Sequence, residues 1–476
     1  MMITTLTLLL TLFSFPQEPT GGGFDQEALD AKVAEISPRV AELRGLDFKE
    51  SVLAGVTTPD EFIEFAKKEF ESEYGLENLK AMGKSYGLLG LMDPELDLYQ
   101  AYLDMLRGQV GGFYDPKTKK FYMMSTFNQG GLADIIMAHE LTHALDDQYY
   151  FLDKMFENAR DLNSDSEFAL RAVVEGSGTS LMNLYTIQGM MAGYLKMDQN
   201  EIQEMMATSS ESIKDAPPFL VVTLALPYLE GNKFLVKQSS VLTAAAITPK
   251  PEDLDYAFAN PPLSSEQVLH FEKYWDPEKW DAPVEVGLPD LASVLPSDGV
   301  NNDIALILNG IIFPLAFLLL ILKRKKPVVA GSAVFVALVW AGIQLLDSEW
   351  ELKNEDTLGE LGCFVLTAEE APDLSTVEGQ MGSWSNDASA GWGGDKYALW
   401  QNSAGESLLV WATTWDTPED CGEFIESFHY MNDENPALMT VSEYEKSVIM
   451  VFSTDVSKPD VEAVVAAVEA ENPDWK

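Results

Sequence analysis

The chain of 476 residues exceeds what one hydrophobic core usually organises, so two or more domains are expected. Its 31 Lys and Arg face 76 Asp and Glu, a formal net charge of −45, which excludes a protein that grips a nucleic-acid backbone by charge. With 46% hydrophobic and 11% aromatic residues it is not disordered throughout, and 2 Cys exclude a disulfide-dense scaffold or a multi-cysteine metal module.

In chain order, the first element is an uncharged apolar run from Met1 to Phe15, closed by Pro16 and Gly21-Gly22-Gly23. It has the length of a secretory signal and is too short to span, so residues 1–17 are read as a signal peptide; no Lys or Arg precedes the run and no small-x-small cleavage site is visible. A soluble region from 24 to 300 follows. Apolar residues at helical spacing mark Ala28–Leu43, Pro59–Tyr74 and Leu96–Met105. The period changes in VGGFYDPKTKKFYMM, Val110–Met124, where two β-prone runs joined at Asp115-Pro116 predict a hairpin. Gly130 and Gly131 end the extended section, and a helix is expected from Leu132 to Tyr149.

That helix carries the chemistry. It reads GLADIIMAHELTHALDDQYY from its leading glycine to a trailing tyrosine, with His139, Glu140 and His143 as H-E-x-x-H. Residues four apart share a helix face, so His139 and His143 can offer ring nitrogens to one metal ion while Glu140 projects beside them. A zinc ion held in this way keeps a position open for water, and Glu140 would take that water's proton and return it to the leaving amine. With 4 His in the whole chain, a chance match is rare, although two helical histidines without a metal are the bland alternative.

Zinc needs a third protein ligand. The continuation H-x-x-G-x-x-H fails, because Asp146 stands where Gly is required and Tyr149 where His is required. A carboxylate on the next helix would complete a His₂Glu set. The segment Ser164–Tyr185, SDSEFALRAVVEGSGTSLMNLY, opens with a capping-box pattern at Ser164 and Glu167. Within its apolar stretch Glu175 is the lone acid, and Gly176, Ser177 and Gly178 allow close approach of another helix, so Glu175 is the expected third ligand. Pairing of Glu175 with Arg171, with Glu167 or Asp165 ligating instead, is the alternative. Asp146 and Asp147 could orient the ligand rings or simply form a solvated helix end.

Further on, two uncharged stretches of about 20 residues each, 304–322 and 327–346, bracket Lys323-Arg324-Lys325-Lys326. They read as a transmembrane hairpin over 304–346, with a buried helical pair in a soluble domain as the alternative. The basic loop is expected in the cytoplasm, which puts both flanking soluble regions outside it. The last region, 351–476, shows strands at Tyr397–Trp400, Ser407–Thr414 and Ser447–Ser453 and helices at Pro418–Met431 and Asp460–Ala470, an α+β module. Cys363 and Cys421 fall in it and could pair. Trp392, Trp400, Trp411 and Trp415 mark either a binding surface or core packing.

HELTHALDDQ followed by AVVEG resembles the gluzincin class of zinc metallopeptidases. It resembles in particular a set of secreted or membrane-bound prokaryotic proteins with an H-E-L-T-H-A-L-x-D-Q helix. GGFYDPKTKKFYM, LALPYLEGNKF, PPLSSEQVLHFEKY and GWGGDKYALW are similar to segments of the same set. The resemblance implies a zincin-like α+β domain, with a small sheet whose edge strand, from the 110–124 hairpin, takes an extended peptide beside the H-E-x-x-H helix. It also implies an oxyanion stabiliser, for which His270, Tyr274 and Tyr228 are candidates; a structural role for His270 is the alternative.

The reading is an α+β protein with three parts: a zincin-like domain, the hairpin and a smaller C-terminal α+β module. Its expected function is zinc-dependent (Zn²⁺) endopeptidase action on protein or peptide outside the cytoplasm, with the lipid bilayer as anchor and no nucleic acid as partner. An intramembrane protease is disfavoured, since Asp134, Asp146 and Asp147 on the same helix are costly in lipid. A catalytically silent zinc- or substrate-binding membrane protein is the remaining alternative.

Overall fold

The computed structural model describes residues 23–107, 111–127, 129–196, 216–295, 350–370, 372–374, 376–403, 405–432, 435–454 and 461–475. The expected signal peptide and the expected transmembrane hairpin lie outside these residues. What is described is a mixed α and β architecture with two sheets.

The chain opens with helix α1 (Gln26–Arg44), where the Asp25 side chain caps the Ala28 N–H and Gly45 closes the end in the left-handed region. Strand β1 (Leu53–Thr57) leads into α2 (Pro59–Glu73), whose start is fixed by a capping box of Thr58 and Glu61. Helices α3 (Leu76–Leu89) and α4 (Leu98–Arg107) follow, then the expected hairpin of β2 (Gly112–Asp115) and β3 (Lys120–Met124). The three strands form one sheet in the order β1-β3-β2, with β1 parallel and β2 antiparallel to β3. One edge of this sheet is therefore β2, as the sequence suggested.

Next come α5 (Gly131–Tyr150), α6 (Leu152–Leu162) and the long α7 (Ser164–Ala192). The cap of α7 differs from the expected box. Asn163 accepts the Ser166 N–H, because Asp356 of the C-terminal region takes both the N–H and the hydroxyl of Ser164. Helix α8 (Pro218–Val236) is the one described helix long and apolar enough to cross a membrane, yet 83% of its most apolar window is buried inside the protein. It lies along α7, where the backbones of Gly176 and Gly231 meet so closely that neither has room for a Cβ atom.

The C-terminal sheet has five strands: β4 (Glu351–Asp356), β5 (Trp392–Gln401), β6 (Ser407–Trp415), β7 (Leu438–Glu443) and β8 (Ser447–Thr454). They run antiparallel in the order β4-β5-β6-β8-β7. Helices α9 (Gly359–Thr367), α10 (Pro418–Asn432) and α11 (Val461–Glu471) complete the module. Strand residues alternate between faces. Tyr397, Leu399, Trp411 and Met450 join the large core that includes α9, α10 and the N-terminal helices, whereas Ala398, Trp400, Val410 and Val451 pack under α11. With both faces covered, Trp392, Trp400, Trp411 and Trp415 are all buried, so they pack the core and form no binding surface. Cys363 and Cys421 are buried free thiols.

The regions before and after residues 296–349 share this core. Ser85 donates to Asn354, His270 meets Glu360, and the Val284 N–H donates to Gly393. Lys273 places its ammonium 2.6 Å from Glu266, 2.8 Å from Asp281 and 3.0 Å from Asp416. Val286, Leu291 and Leu295 enter the same buried cluster as Trp350, so the chain leaves and returns to one place on either side of residues 296–349.

Candidate metal centre

Helix α5 is buried on every face from Gly131 to Asp147, so each of its polar side chains needs a partner inside the protein. At about 100° per residue, His139, His143 and Asp146 line one stripe, while Glu140, Ala144 and Asp147 line a second. The first stripe faces α7, and the second faces the sheet edge at β2.

On the first stripe, His139 Nε2 lies 2.8 Å from His143 Nε2 and 3.2 Å from Glu175 Oε2 of α7. His143 Nε2 lies 3.4 Å from the same oxygen. Burial, followed by the neighbouring His143, holds His139 down to about 4, which keeps its ring neutral. Burial alone would raise the Glu175 carboxyl, but hydrogen bonds to the two rings outweigh it and hold the group at about 2, so it is ionised. A tetrahedral ion with bonds of about 2.0–2.2 Å needs ligand atoms about 3.3–3.6 Å apart. The observed triangle closes to within about half an ångström of those edges. Two ring nitrogens and a carboxylate oxygen also match zinc in donor type, so these residues fit the ion.

The His139 ring is set by packing. A Cβ placed on Gly178 of α7 would lie 2.6 Å from its Cε1 and 2.8 Å from its Nε2, so the ring rests directly on the α7 backbone. On another side the Tyr228 ring of α8 lies nearly parallel, with centroids 5.7 Å apart and planes at 22°. The Nδ1 atoms of both histidines have no hydrogen-bond partner among the described residues.

On the second stripe, Glu140 Oε2 accepts the backbone N–H of Tyr114 in β2 at 2.8 Å, while Oε1 is buried without a partner among the described residues. Burial and then the nearby Glu175 charge push the Glu140 carboxyl well above the usual range; the Tyr114 hydrogen bond opposes them only in part. The Tyr114 N–H must point away from β3 to reach Glu140. By the period of two, Gly112 turns its backbone the same way, toward α5.

Asp146 and Asp147 do not hold the histidine rings, and neither lies at a solvated helix end. Asp146 is fully buried, paired with Arg44 of α1 at 2.8 Å and with the Ser177 hydroxyl of α7 at 2.6 Å. Asp147 accepts the Tyr114 hydroxyl and the Lys119 ammonium, each at 2.7 Å, and the Leu152 N–H at 2.8 Å. The competing roles for the acids of α7 are excluded by their contacts: Arg171 pairs with Glu167 at 3.3 Å, and Asp165 accepts the Ser265 N–H at 3.1 Å.

Of the three candidate oxyanion groups, only Tyr228 reaches the centre. His270 directs Nε2 to Glu360 of α9 at 2.9 Å, and Tyr274 donates to the Asn260 carbonyl within an aromatic cluster with Phe234 and Trp275. Both polar groups are thus engaged by partners other than the three ligand residues. A second group of acids, Glu266, Asp281 and Asp416, already encloses a cation, the Lys273 ammonium. Tyr114, Ser177 and Arg44 carry no sequence signal for these roles, apart from the small-residue run around Ser177 that marks a close contact.

Residues 348–471 match the family model DUF8575, a domain of unknown function, which covers the C-terminal sheet and its helices and none of the centre. No curated protein matches the chain. A solved structure, that of a candidate hydrolase with a novel fold from Chloroflexus aurantiacus, is similar over 53% of this chain and 93% of its own. The sequences are 18% identical and the TM-score is 0.31, too low for function to pass from one to the other.

Proposed function

We propose that this protein is a zinc-dependent endopeptidase of the gluzincin type, anchored in a membrane and working outside the cytoplasm. The observation that carries the reading is the convergence of His139, His143 and Glu175 from two helices, with Glu140 held beside them by the sheet edge. When bound, zinc supplies a Lewis acid for the attack of water on a peptide carbonyl. His139, His143 and Glu175 would hold it. The Tyr114 N–H fixes one oxygen of Glu140, leaving Oε1 to take a proton from water and deliver it to the departing amine. Burial and the nearby Glu175 raise the affinity of the Glu140 carboxyl for a proton. The backbone edge of β2 at Gly112 and Tyr114 is where an extended substrate would add. Tyr228 is the group best placed to steady the developing oxyanion.

Anchoring rests on the apolar stretches around Lys323–Lys326.

The enclosure of the centre favours a second reading. His139, Glu140 and His143 expose 0% of their surface and Glu175 2%, as in a closed structural zinc site. One experiment separates the two. The parent and Glu140→Gln chains are expected to bind about one zinc each, while cleavage of an unstructured protein falls roughly 10²–10⁴-fold in the variant. Zinc in both chains with cleavage in neither would select the silent zinc protein. In intact cells an external protease is expected to cut both soluble regions and spare the Lys323–Lys326 loop; protection of either region would overturn the topology.

A further inference from the structure

We infer that Asp146 is a positioning residue that, through Ser177, sets the spacing of the two ligand-bearing helices; the inference rests on the zinc reading above. Gly178 marks the line along which α7 touches the His139 ring. Counting about 100° per residue, Glu175 lies about 60° to one side of that line and Ser177 about 100° to the other. Glu175 meets the histidines on its flank, and Ser177 donates to Asp146 Oδ2 at 2.6 Å on the opposite flank.

Close packing of Gly176 on Gly231 holds α7 against α8, but on the α5 side the contact runs through Gly178, and a small roll of α7 about that line would swing the Glu175 oxygen toward or away from both nitrogens. A tether on each side of the contact opposes this. Asp146 itself is immobilised by Arg44, whose Nε donates to Oδ1 at 2.8 Å, with the two side chains 2% and 0% exposed. The same α5 stripe therefore carries the two ring ligands and, three residues after His143, the group that fixes the third.

The test uses the purified full-length chain with Zn²⁺ and Co²⁺ as probes. In Ser177→Ala, zinc affinity measured by chelator competition is expected to fall roughly 10–100-fold, the effect typical of losing a group that orients a ligand. The Co²⁺ absorption bands are expected to shift, while the metal-free unfolding midpoint stays near that of the parent. Asp146→Asn, which keeps the side-chain size, is expected to act in the same direction. Unchanged affinity and an unchanged Co²⁺ spectrum in Ser177→Ala, with or without a fall in the metal-free midpoint, would assign the contact to stability alone and overturn the inference. A parent chain that takes up no metal would instead overturn the zinc reading, and the inference with it.

Discussion

Gly178 has no side chain because the His139 ring stands where one would be. A methyl group there would approach three ring atoms within 2.6–2.9 Å, so Gly178→Ala must push the ring or part the helices. Overpacking of this kind costs about 1–3 kcal/mol. The variant is expected to melt at a lower temperature and to bind zinc more weakly; an unchanged metal content in the folded variant would show that the ring has room to give. His139, Glu140 and His143 were legible from spacing alone, since four residues bring side chains onto one helix face whatever the rest of the fold does. Glu175 was legible because a lone acid in an apolar helix demands a cation. Arg44 was not, because it lies 102 residues from Asp146 and local pattern carries no trace of such a pairing. The proposed donor pair of His270 and Tyr274 failed for the same reason. A polar side chain can serve any of several buried partners, and only packing decides that Glu360 and the Asn260 carbonyl take these two.

Among the elements, the crossing of α7 and α8 is the contact that brings Tyr228 over the centre. A Cβ on Gly231 would sit 1.9 Å from the Ala172 carbonyl oxygen, and one on Gly176 would sit 2.4 Å from the Gly231 carbonyl carbon. Backbone cannot yield as a flexible side chain does. Gly231→Ala is therefore expected to cost about 3 kcal/mol or more, read as a lower midpoint in thermal or denaturant unfolding. A midpoint equal to the parent's would mean that the helices separate freely. Helices α1, α2, α4 and α5 were readable from their periodicity to within two residues at most ends. Helix α3 was not, because Gly83 and Gly87, which allow Leu98 and Pro94 to approach, dilute its pattern. Strand β1 escaped for a different reason. It is five residues long and is stabilised by parallel pairing with β3, whose Lys120 opposes Leu53.

At the scale of the whole molecule, the junction of the N-terminal and C-terminal regions is built on buried carboxylates. Burial raises Asp165 to about 7 and Asp356 to about 6, against the hydrogen bonds each accepts from Ser265 and from Ser164 and Thr357. A carboxyl whose folded value is raised binds its proton more tightly in the folded state. Its stabilising effect is complete below the ordinary value of about 4 and is lost as pH rises toward those raised values. The unfolding midpoint is therefore expected to fall between about pH 4 and pH 7, and Asp165→Asn is expected to flatten that slope. A midpoint that climbs over the same range would refute this account. The charge of the whole chain showed none of this, since −45 counts every Asp and Glu alike, whether buried or exposed. The clamp of Asp356 on Ser164 also has a meaning in time. These residues lie 192 positions apart, and at about 5–20 residues per second a ribosome needs about 10–40 s to make the intervening chain. The helix that carries Glu175 is thus fastened at its start only after the 304–346 segment has been synthesised, so for that interval its first turn has no partner from the C-terminal sheet.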